Sequence, residues 1–138
     1  MPTPLPLAIV IVSGIVYHLA QKASVPTRPW PMLMVAYGAA FAVAVVLTLS
    51  GSAAPGWGGG RTRTVGVLVG LAAFGIEAGF FYIYRAGWPL ASASVIANVS
   101  VTAILALVGI VVYREPLTVA RAAGLTLAAA GAALIARG

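Results

Sequence analysis

The chain has no cysteine and no aspartate, one histidine, and only two acidic residues, Glu77 and Glu115. The missing cysteines exclude a disulfide framework, a thiolate metal site and a cysteine nucleophile. One histidine without any aspartate leaves no HExxH helix, and no phosphate-binding loop is present. The sequence therefore predicts neither an enzyme nor a protein with a metal or other cofactor. Charge of either sign is scarce: 7% of the 138 residues are charged, against about 25% in soluble domains. So few charges cannot cover a surface facing water.

What is present is apolar. Hydrophobic residues make up 62% of the chain, and its mean hydropathy is +1.06. This composition belongs to a membrane-embedded protein, and the expected location is the inner (plasma) membrane, crossed several times. The net charge of +6 comes from eight Lys and Arg residues against the two glutamates. The basic residues stand singly or in pairs, with no long run and no basic face. They read as anchors at the membrane interface, with lipid as their partner, and not as a nucleic-acid footprint. The N-terminal MPTPLPLAIVIV lacks the basic region of a signal peptide, so its apolar run reads as a retained span.

Crossing about 30 Å of hydrocarbon takes roughly 20 helical residues, and five stretches qualify. They are about 5–24, 32–50, 65–84, 90–112 and 117–136. The VPTRPWP segment ends the first, Trp88-Pro89 opens the fourth, and Arg114-Glu115-Pro116 opens the fifth. GSAAPGWGGGRTR, after the second stretch, is the longest polar and glycine-rich segment and reads as a flexible loop. The expected fold is all-α, one polytopic domain over 1–138 with five transmembrane helices. Open strand edges cannot be satisfied in lipid, and the ten-residue alternation of barrel strands is absent. Gly66 and Gly70, Gly75 and Gly79, and Gly124 and Gly131 each pair on one helical face. That spacing fits close helix packing, either within one bundle or along a dimer seam.

With five spans the two chain ends lie on opposite sides of the membrane. Arg61, Arg63, Arg114 and Arg121 then fall on the side of the N-terminus, and Lys22, Arg28, Arg85 and Arg137 on the other. Four against four gives the positive-inside rule nothing to act on, as in a protein inserting in both orientations. The other reading is a fixed orientation set by something the count misses, such as a buried Arg121.

Ionisable and polar residues inside a span are costly and normally face the bundle interior. His18, Glu77 and Asn98 each fall roughly three-fifths of the way across the membrane, assuming even helical rise. Gly14, His18, Gln21 and Lys22 form a polar stripe on the first helix. Phe74, Glu77, Phe81 and Tyr84 share a face of the third, flanked by Ala73 and Phe80, and Ser94, Asn98 and Thr102 share a face of the fourth. A carboxylate ringed by aromatics can hold a lipophilic cation or exchange a proton with a neighbouring histidine. Structural readings stand beside these. Glu77 can lock the bundle by pairing with His18 or an arginine, Asn98 can be interhelical glue, and Phe74 and Phe81 can be packing residues. Tyr84, Trp88 and Arg85 fall where an interface belt is expected. Glu115, just before Pro116, reads as a backbone partner or a partner of Arg114.

The C-terminal YREPLTVARAAGLTLAAAGAALIA resembles the end of an EamA repeat of the drug/metabolite transporter superfamily. The resemblance rests on Glu115 closing the fourth helix, Leu117-Thr118, and Gly124 and Gly131 seven apart. ASASVIANVSVTAILAL is similar to the family's fourth helix, and Lys22 fits a lysine near the end of the first. Five spans in this length match one whole repeat, so the resemblance covers the full chain. Familiar members carry two such repeats in inverted orientation, or are four-helix small multidrug resistance proteins that form antiparallel dimers. The resemblance implies that a partner chain supplies the second repeat. The four-to-four charge balance permits the opposite insertion that this requires. Small multidrug resistance proteins carry their glutamate in the first helix, whereas here the acidic residue is Glu77 in the third.

The functional expectation is a small secondary transporter, proton-coupled, exporting a small amphipathic or cationic metabolite or drug. It would work as an antiparallel homodimer or with a sibling half-transporter. The binding residues would be Glu77, His18, Asn98, Phe74, Phe81, Tyr84 and Lys22. Two other readings are a flippase-like subunit for lipids or polyprenyl carriers, governed by Arg85 and Lys22, and a non-transporting membrane partner of another protein.

Overall fold

A computed structural model of the chain describes residues 4–50 and 59–137. The helices are α1 (Pro4–Ala23), α2 (Pro29–Leu49), α3 (Gly60–Arg85), α4 (Leu90–Val111) and α5 (Val119–Ile135). The fold is all-helical among the described residues, as apolar segments that must satisfy their backbone groups internally require. α1 to α4 are each long and apolar enough to cross a membrane, and α5 is a shorter apolar helix of 17 residues. The chain divides into two compact units, Met1–Ala86 and Gly87–Gly138.

In the first unit, α3 packs against both α1 and α2. The turn after α1 is closed by side chains: the Ser24 hydroxyl donates to the Gln21 carbonyl and the Thr27 hydroxyl to the Ser24 carbonyl, each at 2.7 Å. These bonds satisfy carbonyls that the end of a helix leaves without partners. Pro29 opens α2 at its first turn, where a missing N–H costs nothing. α3 begins at Gly60, five residues before the expected 65, so Arg61 and Arg63 are helical. The Gly59 carbonyl accepts from the amides of Thr62 and Arg63, and the Thr64 hydroxyl donates to the Gly60 carbonyl at 3.1 Å. The expected GSAAPGWGGGRTR loop is thus already helix from Gly60, and its residues 51–58 lie outside the described residues. At 26 residues α3 is roughly 39 Å long, so a helix crossing about 30 Å of hydrocarbon has a turn or two to spare for its arginines.

Most large apolar side chains of this unit point outward, among them Val10, Met34, Phe41 and Leu71. In water that would be untenable, but lipid makes these faces the solvated ones. Among the described residues of this unit the buried ones are few: Leu33, Phe81, Tyr84 and the polar Gln21.

In the second unit, α4 and α5 pack as a hairpin. The return between them places Arg114 at φ 54, in the left-handed region, and the Glu115 amide donates to the Gly109 carbonyl at 3.0 Å. Thr118 caps α5, its hydroxyl accepting from the Arg121 amide at 3.2 Å. The Glu115 carboxylate pairs with Arg121 at 3.8 Å, so its ionic partner lies in the first turn of α5 and is not Arg114. Both side chains are largely exposed, and such a pair in water contributes no more than about 1 kcal/mol.

The glycines chosen for close packing stand in open space. A Cβ placed on Gly66, Gly70, Gly75, Gly79, Gly124 or Gly131 would meet no atom within 4 Å. Gly87 is different, because it follows α3 at φ +91, the left-handed turn that ends many helices and that glycine adopts without strain. Space around it is also open, so Gly87→Ala isolates the backbone penalty. The expected loss is about 1–2 kcal/mol, read as an earlier unfolding midpoint in a denaturation titration of the detergent-solubilised protein. Gly66→Ala, in open helix, should instead be neutral or mildly stabilising.

Candidate functional site

The polar stripe of α1 meets the aromatic face of α3 between residues 17–22 and 77–84. Gln21 projects from the last turn of α1 and is 3% exposed. Its amide Nε2 donates to the Glu77 carboxylate at 2.6 Å and lies 3.3 Å from the Glu77 carbonyl oxygen. Two acceptors on one side of the amide fix its orientation, because a flipped Oε1 would face oxygens. One turn back on α1, His18 shares a 2.9 Å hydrogen bond between Nδ1 and the Tyr84 hydroxyl. Its ring stands edge-on to Phe80, with centroids 4.8 Å apart. Lys22 sits with Nζ 5.5 Å from the centre of the Tyr84 ring.

Two aromatic groups bracket Glu77 along α3. Three residues before it, Phe74 stacks with Trp30 and Tyr37 of α2, at centroid distances of 6.2 and 6.4 Å. Three residues after it, Phe80 packs edge-on against Tyr17 at 5.8 Å. Positions three apart on a helix are surface neighbours, so the Tyr37 and Tyr17 groups approach the carboxylate from opposite ends. Both phenols lie within electrostatic range of Glu77. The hydroxyl oxygens of Tyr17 and Tyr37 and Oε1 of Gln21 are sealed from solvent and have no hydrogen-bond partner among the described residues. Buried oxygens in this state are uncommon and call for an explanation.

The residues predicted from sequence separate into three groups. Glu77, His18, Tyr84, Lys22 and Phe74 belong to this α1–α2–α3 layer. Glu77 pairs directly with Gln21, and His18 with Tyr84. Phe81 is fully buried, with the Arg85 guanidinium 5.9 Å from its ring centre, and acts as a packing residue. Asn98 belongs to the second unit and is exposed. The hydroxyls beside it are occupied along their own helix, Thr102 donating to the Asn98 carbonyl at 2.7 Å and Ser94 to that of Leu90 at 2.9 Å. The second unit also contains a groove of about 440 Å³ between α4 and α5, lined by Thr102, Ile110, Glu115, Arg121 and Leu125 among others.

Sequence reasoning did not select Gln21, Tyr17 or Tyr37 as site residues. Gln21 was legible as part of the polar stripe, and as the chain's one glutamine it could have been paired with Glu77. The two tyrosines carry the only hint of their role in their hydroxyls, since their rings look like ordinary packing in an apolar helix.

The Gln21–Glu77 bond is a charge-assisted contact whose rupture leaves a partly buried carboxylate short of a donor. Gln21→Leu should destabilise the detergent-solubilised protein by about 1–3 kcal/mol. The double variant Gln21→Leu/Glu77→Leu should recover most of that loss, because removing both polar partners leaves nothing unsatisfied. Thermal unfolding of the four proteins in one cycle measures it.

No protein-family model matches the chain, nor does any curated protein or solved structure.

Proposed function

We propose that the protein is a small secondary transporter of the inner membrane, in which Glu77 alternates between holding a proton and holding a cationic or amphipathic substrate. The observation that carries this reading is the layer around Glu77. It is a carboxylate on a lipid-crossing type of helix, held by one amide, bracketed by aromatic rings and faced by buried oxygens without partners. A helix lock would be expected to leave its polar atoms satisfied, whereas a site that binds and releases something presents polar atoms to its ligand. The aromatic faces add attraction for a cation through their quadrupoles. His18 acts one step removed, positioning Tyr84 at the rim of the layer.

In this reading α5 is a fifth span. Its 17 residues reach roughly 26 Å, the short end of what a bilayer accepts. The chain then stands as one EamA-like repeat, and a second copy inserted in the opposite orientation supplies the other half of the carrier. The four-to-four distribution of basic residues supports a partner of that kind.

Two measurements test the proposal. Glu77→Gln should abolish proton-driven substrate uptake in proteoliposomes while the protein still folds and inserts. Uptake with wild-type kinetics would overturn the role given to Glu77. A single cysteine added at the C-terminus of this cysteine-free chain should be labelled from both sides of the membrane in comparable amounts. Labelling from one side alone would remove the antiparallel homodimer.

A further inference from the structure

The three orphan oxygens say more about the substrate than its charge. Gln21 Oε1 can only accept hydrogen bonds, and its amide is held with Nε2 toward Glu77, so Oε1 cannot turn to find a donor there. The Tyr17 and Tyr37 oxygens can each accept while spending their own hydrogen on a neighbouring acceptor. The first unit's layer contains one carboxylate and no second acid, which matches a single positive charge. Its open acceptors are the Gln21 amide oxygen and the two phenol oxygens.

A quaternary ammonium brings charge and no N–H, so it would seal in these oxygens unsatisfied. An alkali ion could be ligated by them, yet it surrenders a tight hydration shell and gains little from the rings of Phe74 and Phe80. A primary ammonium brings three N–H donors and a single charge, with an alkyl stem to lie on aromatic faces. We propose that the layer formed by Glu77, Gln21, Tyr17 and Tyr37 is a receptor for a primary alkylammonium group. The N–H bonds are made to the Glu77 carboxylate, Gln21 Oε1 and a phenol oxygen, and the stem runs between the rings that flank Glu77. This inference rests on the reading of Glu77 as a substrate-facing carboxylate and sharpens it, since discrimination by a polar site comes from the groups a wrong ligand would leave unpaired.

The test uses the full chain in detergent and two cations with the same five non-hydrogen atoms, n-butylammonium and tetramethylammonium. Binding is read by intrinsic fluorescence and by the shift in unfolding temperature. n-Butylammonium should bind at least about tenfold more tightly, the scale of one hydrogen bond to a charged group. Sodium at equal ionic strength should not compete. Tyr17→Phe and Tyr37→Phe keep both rings and remove only the oxygens, so they should fold, and together they should erase the preference. Equal binding of the two cations, tighter binding of tetramethylammonium, or a preference that survives both substitutions overturns the inference. So does a folded wild-type protein that binds neither cation, in which case internal water occupies the oxygens. Proteoliposome flux separates this from the transporter reading. Ammonium binding without flux removes transport and leaves the receptor, whereas coupled flux of a quaternary cation without ammonium binding does the reverse.

Discussion

The hydrogen bond from Gln21 to Glu77 is the contact on which the rest of the first unit depends. In lipid there is no hydrophobic force to bring helices together, so polar pairs and close packing decide which faces meet. α1 offers few groups able to do this, and Gln21 is the one buried polar residue of the helix. Its bond fixes the facing register of α1 and α3 at residues 21 and 77. The neighbouring contacts then follow from helical spacing. His18 reaches Tyr84 and Phe80, Tyr17 lies against Phe80, and Lys22 comes to rest over Tyr84.

The aromatic residues do a second job. Phe74 ties α2 to α3 through Trp30 and Tyr37, while Phe80 ties α1 to α3 through Tyr17. Both rings stand three positions from Glu77, one on either side of it along α3. The layer thereby combines a fixed negative group with surroundings of low polarity, the condition under which electrostatic contacts are strongest. The second unit is chemically quieter. Its hydroxyls at Ser94, Thr102 and Thr126 each return to a carbonyl of their own helix, leaving α4 and α5 to pack by shape.

The placement of five helices was readable from hydropathy and proline positions, because a lipid-crossing segment has few compositional solutions. Four of them are long and apolar enough to cross a membrane. α4 begins at Leu90 as expected, and α2 ends within a residue of the expected 50. The start of α3 was misplaced since hydropathy marks where the apolar core begins, not where the helix does. Thr62, Arg63 and Thr64 close their bonds on Gly59 and Gly60 well outside that core. The carboxylate and its aromatic face were legible because an acid in an apolar run is conspicuous. Its true partner was less so. Charge and depth suggested His18 within the first unit, but a hydrogen bond depends on which side chain has the reach, and Gln21 has it from one turn further along. Nothing in the pattern of Tyr17 or Tyr37 separates a hydroxyl facing a buried layer from one facing a headgroup, because the two differ only in rotation about the helix axis.

The length of α3 has a mechanical meaning. Arg63 and Arg85 lie at its two ends within one continuous helix, 22 residues apart by their numbers, which is roughly 33 Å. That is close to the thickness of a bilayer's hydrocarbon layer, and neither guanidinium can enter the layer cheaply. The helix is therefore a gauge with a stop at each end. In a thinner membrane it must lean, and in a thicker one the lipid must pinch to meet it. Because Glu77 rides on the same helix eight residues from Arg85, the lipid thickness around the protein also sets how deep this carboxylate sits.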